Sequence, residues 1–169
     1  MKKILAIILA ALMIAACSVT AFAAEVNQDS DPQQQSAVIS ADVAPAYIVS
    51  IPADTTVTFN TEYTDFGAVE LTSARLEPDK CVKVTLTTDG ELNNSVDDTK
   101  VIPYTIVEGK ADSATDTTYT TAAYLAEGDK TDLTIKITQD DWNKAYAGHY
   151  GDTVIFDVAY TTNAERRIT

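Results

Sequence analysis

Apolar and polar side chains alternate along much of the chain, and the alternation is clearest at residues 81–88. There Val82, Val84 and Leu86 alternate with polar residues, and Cys81 falls on the polar side. Because successive side chains of a β-strand point to opposite faces, this pattern predicts a strand with one buried face. Similar patterns predict strands at residues 37–43, 46–51, 57–59, 66–71, 101–107, 133–138 and 153–162.

Turn-forming residues separate these predicted strands. Asp89-Gly90 and Glu77-Pro78-Asp79 have the composition of tight turns, and Pro103 inside residues 101–107 predicts an edge strand or a bulge. Short strands without long helices between them predict an all-β domain, which we expect to be a two-sheet antiparallel β-sandwich, with a closed barrel as the alternative. The residues of the last strand predicted to face the core are Val154, Phe156, Val158 and Tyr160.

One short segment before the last strand has helical rather than strand spacing. Trp142, Ala145 and Tyr146 fall on one face of a helix. Thr138 is placed to cap the first turn and Gly148 to end the helix, because these residue types favour those positions. We therefore predict a helix of about two turns between two strands.

The first 23 residues have the pattern of a secretory signal peptide. Lys2 and Lys3 precede an apolar run at residues 4–16, and Ala21-Phe22-Ala23 places small residues before a cleavage point at Ala24. This pattern predicts a protein that is secreted or held at the cell surface. As an alternative, Ile14-Ala15-Ala16-Cys17 resembles the lipobox of bacterial lipoproteins, in which lipidation of Cys17 would attach the chain to a membrane.

The remaining chain divides into three predicted regions. Residues 24–36 are polar and are predicted to be a flexible tether, because they cannot bury enough apolar surface to fold. Residues 37–163 are predicted to form the single β-sandwich domain. Residues 164–169 are predicted to be a tail without an LPxTG-like sorting motif, which argues against sortase-linked assembly.

The net charge of the chain limits the classes of partner that it can bind. Asp and Glu number 25 against 12 Lys and Arg, for a net charge of −13. Removal of residues 1–23, which contain two lysines and no acid, takes the charge to −15. An acidic surface repels phosphate backbones and anionic lipids, so nucleic acid is excluded and a membrane is expected only if Cys17 is lipidated. Surface proteins and glycans remain as partners.

Residues that could perform catalysis are few. His149 is the single histidine, and Cys81 is the single cysteine outside the predicted signal peptide. A Cys81–His149 pair could activate a thiolate only if the fold brought the two side chains together, and neither lies in a known motif. We expect an exposed loop histidine and a strand cysteine on the polar face, and therefore a protein that is not an enzyme.

Two groups of residues are candidates for binding. Acidic residues cluster after the 81–88 strand, and their oxygen atoms suit Ca²⁺, although a solvated acidic loop is the simpler interpretation. The candidate metal ligands are Asp89, Glu91, Asp97 and Asp98. Aromatic side chains near predicted loops could stack on sugars, although packing at the ends of the core is the favoured interpretation. The candidate ligand-binding residues are Tyr119, Tyr124, Trp142 and Tyr146.

The segment WNKAYAGHYGDTVIFDVAY at residues 142–160 resembles the closing part of exported β-sandwich domains. It is similar to pilin-like and adhesin-like domains of Gram-positive surface proteins and to the end of spore coat protein U sandwiches. The resemblance implies an immunoglobulin-like sandwich and a structural or adhesive role at the cell surface. A carbohydrate-binding module that uses exposed tyrosines is the alternative, and the resemblance brings no catalytic residues.

Overall fold

The computed structural model describes residues 26–31, 34 and 36–163. The chain divides into two units, Met1–Asp42 and Val43–Thr169. In the first unit the described residues include a turn in which the Ser30 N–H donates to the Asn27 carbonyl over 3.1 Å. The predicted signal peptide, the Cys17 lipobox and the tail at residues 164–169 lie outside the described residues.

The prediction of a strand at residues 37–43 is wrong. These residues have no regular secondary structure, and Val38 and Ile39 are almost fully exposed. Alternation alone does not make a strand, because a strand also needs a neighbour that pairs with its backbone. The described strands begin instead at Ala46.

The second unit contains ten described strands and one described helix. Their bounds, in chain order, are β1 Ala46–Ser50, β2 Tyr63–Arg75, β3 Lys80–Thr87, β4 Glu91–Asn94, β5 Val101–Pro103, β6 Thr105–Glu108, β7 Thr121–Tyr124, β8 Lys130–Lys136, α1 Gln139–Lys144, β9 Tyr150–Gly151 and β10 Ile155–Thr162. The predicted strands at 46–51, 66–71, 81–88, 133–138 and 153–162 correspond to β1, β2, β3, β8 and β10. The prediction at 57–59 is wrong, because the chain is irregular there.

The described strands pair antiparallel in three hydrogen-bonded sheets. One sheet has the order β1-β2-β8-β6, the second has the order β10-β3-β7, and the third has the order β5-β4-β9. Val69 of β2 and Leu133 of β8 pack in one buried cluster with Val82 and Val84 of β3, which joins the first two sheets face to face. The prediction of an all-β antiparallel sandwich with an immunoglobulin-like fold and one short helix is confirmed, except that the described strands form three sheets rather than the predicted two.

The predicted strand at 101–107 is in fact two strands in different sheets. β5 ends at Pro103 and pairs with β4, whereas β6 begins at Thr105 and pairs with β8. Pro103 cannot donate a backbone hydrogen bond, and the buried Tyr104 lies between the two strands. The predicted irregularity at Pro103 is therefore the point at which the chain changes sheets.

The burial of two side chains differs from what the alternation predicts. Cys81 is buried rather than on a polar face. It lies in β3, the central strand of the β10-β3-β7 sheet, beside Thr161 of β10. Val158 is 40% exposed although its alternation places it in the core. β10 lies at the edge of its sheet, so one side of this strand is not covered by a neighbour.

The helix α1 begins as predicted. The Asp141 N–H donates to the Thr138 hydroxyl, and Trp142 is buried. The helix ends earlier than predicted, with Ala145 rather than Gly148 at its C-terminal cap.

No helix among residues 26–31, 34 and 36–163 is long and apolar enough to cross a membrane.

Candidate binding cleft

A cavity of about 980 Å³ lies in the second unit. We call it the cleft, and we call residues 51–57 its first wall and residues 148–156 its second wall. Its floor consists of Ile102, Ile106, Ile135 and Trp142, all of which also belong to the buried core. The cleft is therefore an opening into the sandwich interior rather than a depression on its surface.

A bulge in β2 positions the first wall. The pairing of β2 with β8 shifts between Asp65 and Gly67, and Gly67 has φ of +123°. A Cβ atom at Gly67 would lie 3.3 Å from the Pro52 Cβ. Glycine thus permits both the bulge and the close approach of the first wall to β2.

A hydrogen-bond network at Asp152 positions the second wall. The Asp152 carboxylate accepts hydrogen bonds from the Tyr104 hydroxyl, from the Thr88 hydroxyl at 3.0 Å and from the Thr153 N–H at 2.6 Å. Burial, together with the hydrogen bond to Asp152, raises the pKa of Tyr104 well above its usual range. Tyr104 therefore remains a neutral donor that ties the second wall to the core.

The other end of the second wall is fixed to β4. The Ser95 N–H donates to the His149 carbonyl over 2.8 Å. A Cβ atom at Gly148 would lie 2.3 Å from the Asn94 Nδ2. Any larger residue at position 148 would displace the buried Asn94 side chain, which itself accepts from the Val96 N–H.

Aromatic rings stand at the rim of the cleft. Phe59 and Tyr146 are 72% and 64% exposed and both line the cavity. Phe59 packs edge-on against Trp142 with ring centroids 5.5 Å apart, and the Trp142 Nε1 donates to the Thr61 carbonyl over 2.9 Å. The Lys100 ammonium lies 5.1 Å from the centre of the Tyr146 ring.

The edges of two sheets lie close to the cleft. Tyr47 of β1 stacks on Tyr160 of β10 with centroids 5.8 Å apart, and Phe66 of β2 lies 6.1 Å from Phe156 of β10. β10 pairs with β3 on one side, and on its other side no strand of the described chain pairs with it. Phe156 lines the cleft, so this free edge is part of the site.

The charges that line the cleft are acidic. Asp54 on the first wall and Asp152 on the second wall are both exposed, and His149 also lines the cavity. Among the described lining residues there is no lysine or arginine. The cleft therefore combines an apolar interior with a negatively charged rim.

The predicted ligand-binding residues divide into two pairs. Tyr119 and Tyr124 are 1% and 2% exposed, and their hydroxyls lie 3.3 Å apart in the core. Their rings are not presented to solvent, so core packing is the correct interpretation for both. Trp142 and Tyr146 lie together at the cleft, Trp142 in its floor and Tyr146 at its rim.

The four predicted metal ligands are exposed loop and strand residues. The Asp89 carboxylate accepts from the Glu91 N–H over 3.0 Å, and Asp97 accepts from the Thr99 N–H and hydroxyl. The hydrogen bonds from Thr99 lower the pKa of Asp97. Within the described ranges, no three acidic, histidine or cysteine side chains, Asp98 included, converge as a metal site requires.

The Cys81 thiol and the His149 imidazole, which were considered above as a possible catalytic pair, lie in different surroundings. Cys81 is buried in β3, whereas His149 is exposed on the second wall. No hydrogen bond joins these two side chains in the described part of the structure. The geometry that a thiolate nucleophile needs is therefore not present in this conformation.

Most of the cleft could not be found from sequence. Asp152 lies in no sequence pattern that predicts a site, most of the first wall lies between two predicted strands, and Phe59 falls in the predicted strand at 57–59. Their importance comes from the bulge at Gly67 and from the network at Asp152, both of which depend on contacts between distant segments. The helical spacing of Trp142 and Tyr146 was the one local signal.

No family model matches the chain, and no curated protein sequence matches it. Among solved structures, the chain is similar to one from a chaperone–tip adhesin complex of CFA/I fimbriae biogenesis, with 12% identity and a TM-score of 0.42. The match covers 70% of this chain and 43% of that chain, so it spans less than half of that protein's length.

Proposed function

We propose that this chain is a non-enzymatic module of the cell exterior, with a structural or adhesive role, that holds an extended apolar segment of a partner protein in the cleft. The observation that carries this proposal is the cleft itself, whose floor consists of core residues such as Ile102 and Ile135. An apolar segment placed there would complete the interior of the sandwich and would gain the free energy of apolar burial.

The free edge of β10 supports the same proposal. An exposed sheet edge offers unpaired backbone N–H and C=O groups, and an extended segment can pair with them while its side chains enter neighbouring pockets. Ile155 and Val158 of β10 are exposed, as expected for a strand that lacks a neighbour on one side. The secretory pattern of residues 1–23 supports a location outside the cell.

The proposal can be tested with Trp142, the single tryptophan, as a reporter in the floor of the cleft. A peptide of alternating valine and threonine should change the Trp142 emission saturably and should slow amide hydrogen exchange in β10. A Val57→Arg variant, which places a charge on the first wall, should lose this binding, whereas Val96→Arg outside the lining should keep it. Absence of saturable binding to the unaltered protein would contradict the proposal.

Carbohydrate binding remains a second candidate because Phe59 and Tyr146 present exposed rings at the rim. Exposed aromatic rings can pack on the apolar faces of sugars. A glycan array with the purified protein, repeated with Tyr146→Ala, separates the two candidates. Sugar binding that disappears in this variant, combined with no peptide binding, would favour the carbohydrate module.

A further inference from the structure

We infer that the cleft selects partner segments that carry lysine or arginine beside their apolar residues and discriminates against segments with acidic flanks. The inference rests on the proposed function and adds the chemistry of the partner. It comes from the distribution of charge around the cleft and not from its apolar floor, which any aliphatic segment would fill.

A carboxylate stands on each wall of the cleft. Asp54 lies on the first wall and Asp152 on the second, and both are exposed. Asp152 is held in place by the Tyr104 and Thr88 hydroxyls and by the Thr153 N–H. Three donors on one carboxyl group fix its position, so its negative charge is held at a defined place on the second wall.

The positive groups near the cleft do not cancel these charges. The Lys100 ammonium lies over the exposed ring of Tyr146 and interacts electrostatically with the Asp97 carboxylate. His149 lines the second wall, and within the described residues it forms no ion pair with Asp54 or Asp152. The chain as a whole carries a net charge of −13, which adds a long-range attraction for basic segments.

Charges at the rim of an interface act mainly on association rate and on the choice of partner. Each exposed pair contributes modestly, so the selection should be a matter of several-fold per charge rather than all or none. Because such pairs are screened over about 8 Å at physiological salt, the selection should weaken as salt increases. The apolar contacts, in contrast, should be nearly indifferent to salt.

The test uses three peptides with the same alternating valine and threonine core and with two lysines, two serines or two glutamates as flanks. Binding to the full chain is measured by Trp142 emission at low and at high salt. We expect affinity to fall in the order lysine, serine, glutamate, with about a tenfold difference between the first and the last at low salt. This ratio should shrink towards one at high salt.

Two matched variants decide whether the cleft charges cause the selection. Asp54→Asn with Asp152→Asn should reduce the lysine-to-glutamate ratio at least threefold. Asp112→Asn with Glu127→Gln makes the same change in net charge outside the cleft lining and should leave the ratio almost unchanged. Asp54→Asn alone should act in the same direction as the first pair, which guards against a local structural effect at Asp152.

The outcomes separate the two proposals. Equal binding of all three peptides, or an equal loss in both paired variants, would overturn the charge selection and leave the proposed function intact. No binding of any peptide, including the serine-flanked one, would overturn both. The expected order with loss only in the cleft variants supports both.

Discussion

Two parts of the same core differ in how completely they are packed. In the closed part, Val69, Leu71, Val82 and Leu133 have at most 1% of their surface exposed. In the cleft, Phe66, Leu92 and Phe156 pack against the same core and are only partly buried. Both parts draw on the same strands, with β2 supplying Leu71 to one and Phe66 to the other.

The difference arises at the sheet edges. β1 and β10 are joined by the Tyr47–Tyr160 stack, but the chain leaves β1 after Ser50 and continues as the irregular first wall. No strand of the described chain fills the space between this wall and β10. We therefore expect stability to depend mainly on the closed part and the proposed binding to depend on the cleft.

The largest expected effect comes from truncation of a leucine in each part. Leu71→Ala removes a fully buried side chain and should lower the free energy of unfolding by about 2–5 kcal/mol. Leu92→Ala removes a partly exposed side chain from the cleft and should cost less than half as much. Urea denaturation of both variants measures the contrast, and equal losses would show that the cleft is packed as tightly as the closed part.

Enlargement of a valine tests the same contrast in the opposite direction. Val69→Phe overfills the closed part and should destabilise the protein by about 1–3 kcal/mol. Val57→Phe projects into existing space in the cleft and should change the stability by less than about 0.5 kcal/mol while weakening peptide binding. Thermal unfolding and Trp142 emission measure the two effects, and a large loss of stability in Val57→Phe would contradict the open cleft.

Buried tyrosines should make the protein sensitive to alkali. Burial, reinforced by Tyr124, raises the pKa of Tyr119 far above its ordinary value of 10.0. The folded state thus favours the neutral phenol, so this contribution to stability is complete below pH 10.0 and is lost as the pH rises above it. Tyr119→Phe in the closed part and Tyr104→Phe in the cleft should each flatten the decline in stability above pH 10.0.

Denaturant unfolding at neutral pH and at a series of alkaline pH values checks this expectation. Tyr146, whose ring is exposed, serves as the control, and Tyr146→Phe should follow the unaltered protein. An unchanged decline in the Tyr119→Phe and Tyr104→Phe variants would assign the alkaline sensitivity to other groups.

A smaller loss than in the closed part of the core is expected at the start of α1. Thr138→Ala removes the hydroxyl that accepts from the Asp141 N–H over 3.2 Å and should cost about 1 kcal/mol. Because Trp142 lies one residue further along the helix, its emission should report the loosening of the cleft floor. Thr138→Ser retains the hydroxyl and should behave as the unaltered protein. A loss of the same size in both variants would assign the effect to the methyl group.

Local sequence patterns predicted those strands and the helix in which the same face is buried along the whole length of the element. β3 and β8 each have one apolar face against the core, so alternation located them, and the Thr138 cap located α1. The short strands β4, β7 and β9 carry too few residues for any periodicity, and they exist because neighbouring strands supply hydrogen bonds. Residues 37–43 show the converse, since they alternate well and form no strand.

The candidate site was less predictable than the fold. Trp142 and Tyr146 were found through helical spacing, but Tyr119 and Tyr124, which were also predicted to lie near loops, lie in the core instead. Whether an aromatic ring reaches solvent depends on which strand covers it, and that information is not local. The metal prediction from clustered acids likewise depended on convergence in space, which the described residues do not show.

The amino-acid sequence alone determined that the chain has a β-sandwich core, where its main turns and its helix lie, and that its surface is acidic. These properties follow from residue type and from spacing over a few positions. Only the tertiary structure decided that β5 and β6 belong to different sheets, that Cys81 is buried, and that the interior opens between the first wall and β10. Each of these depends on which distant segments pair and where pairing stops, and a pattern of neighbouring residues does not encode it.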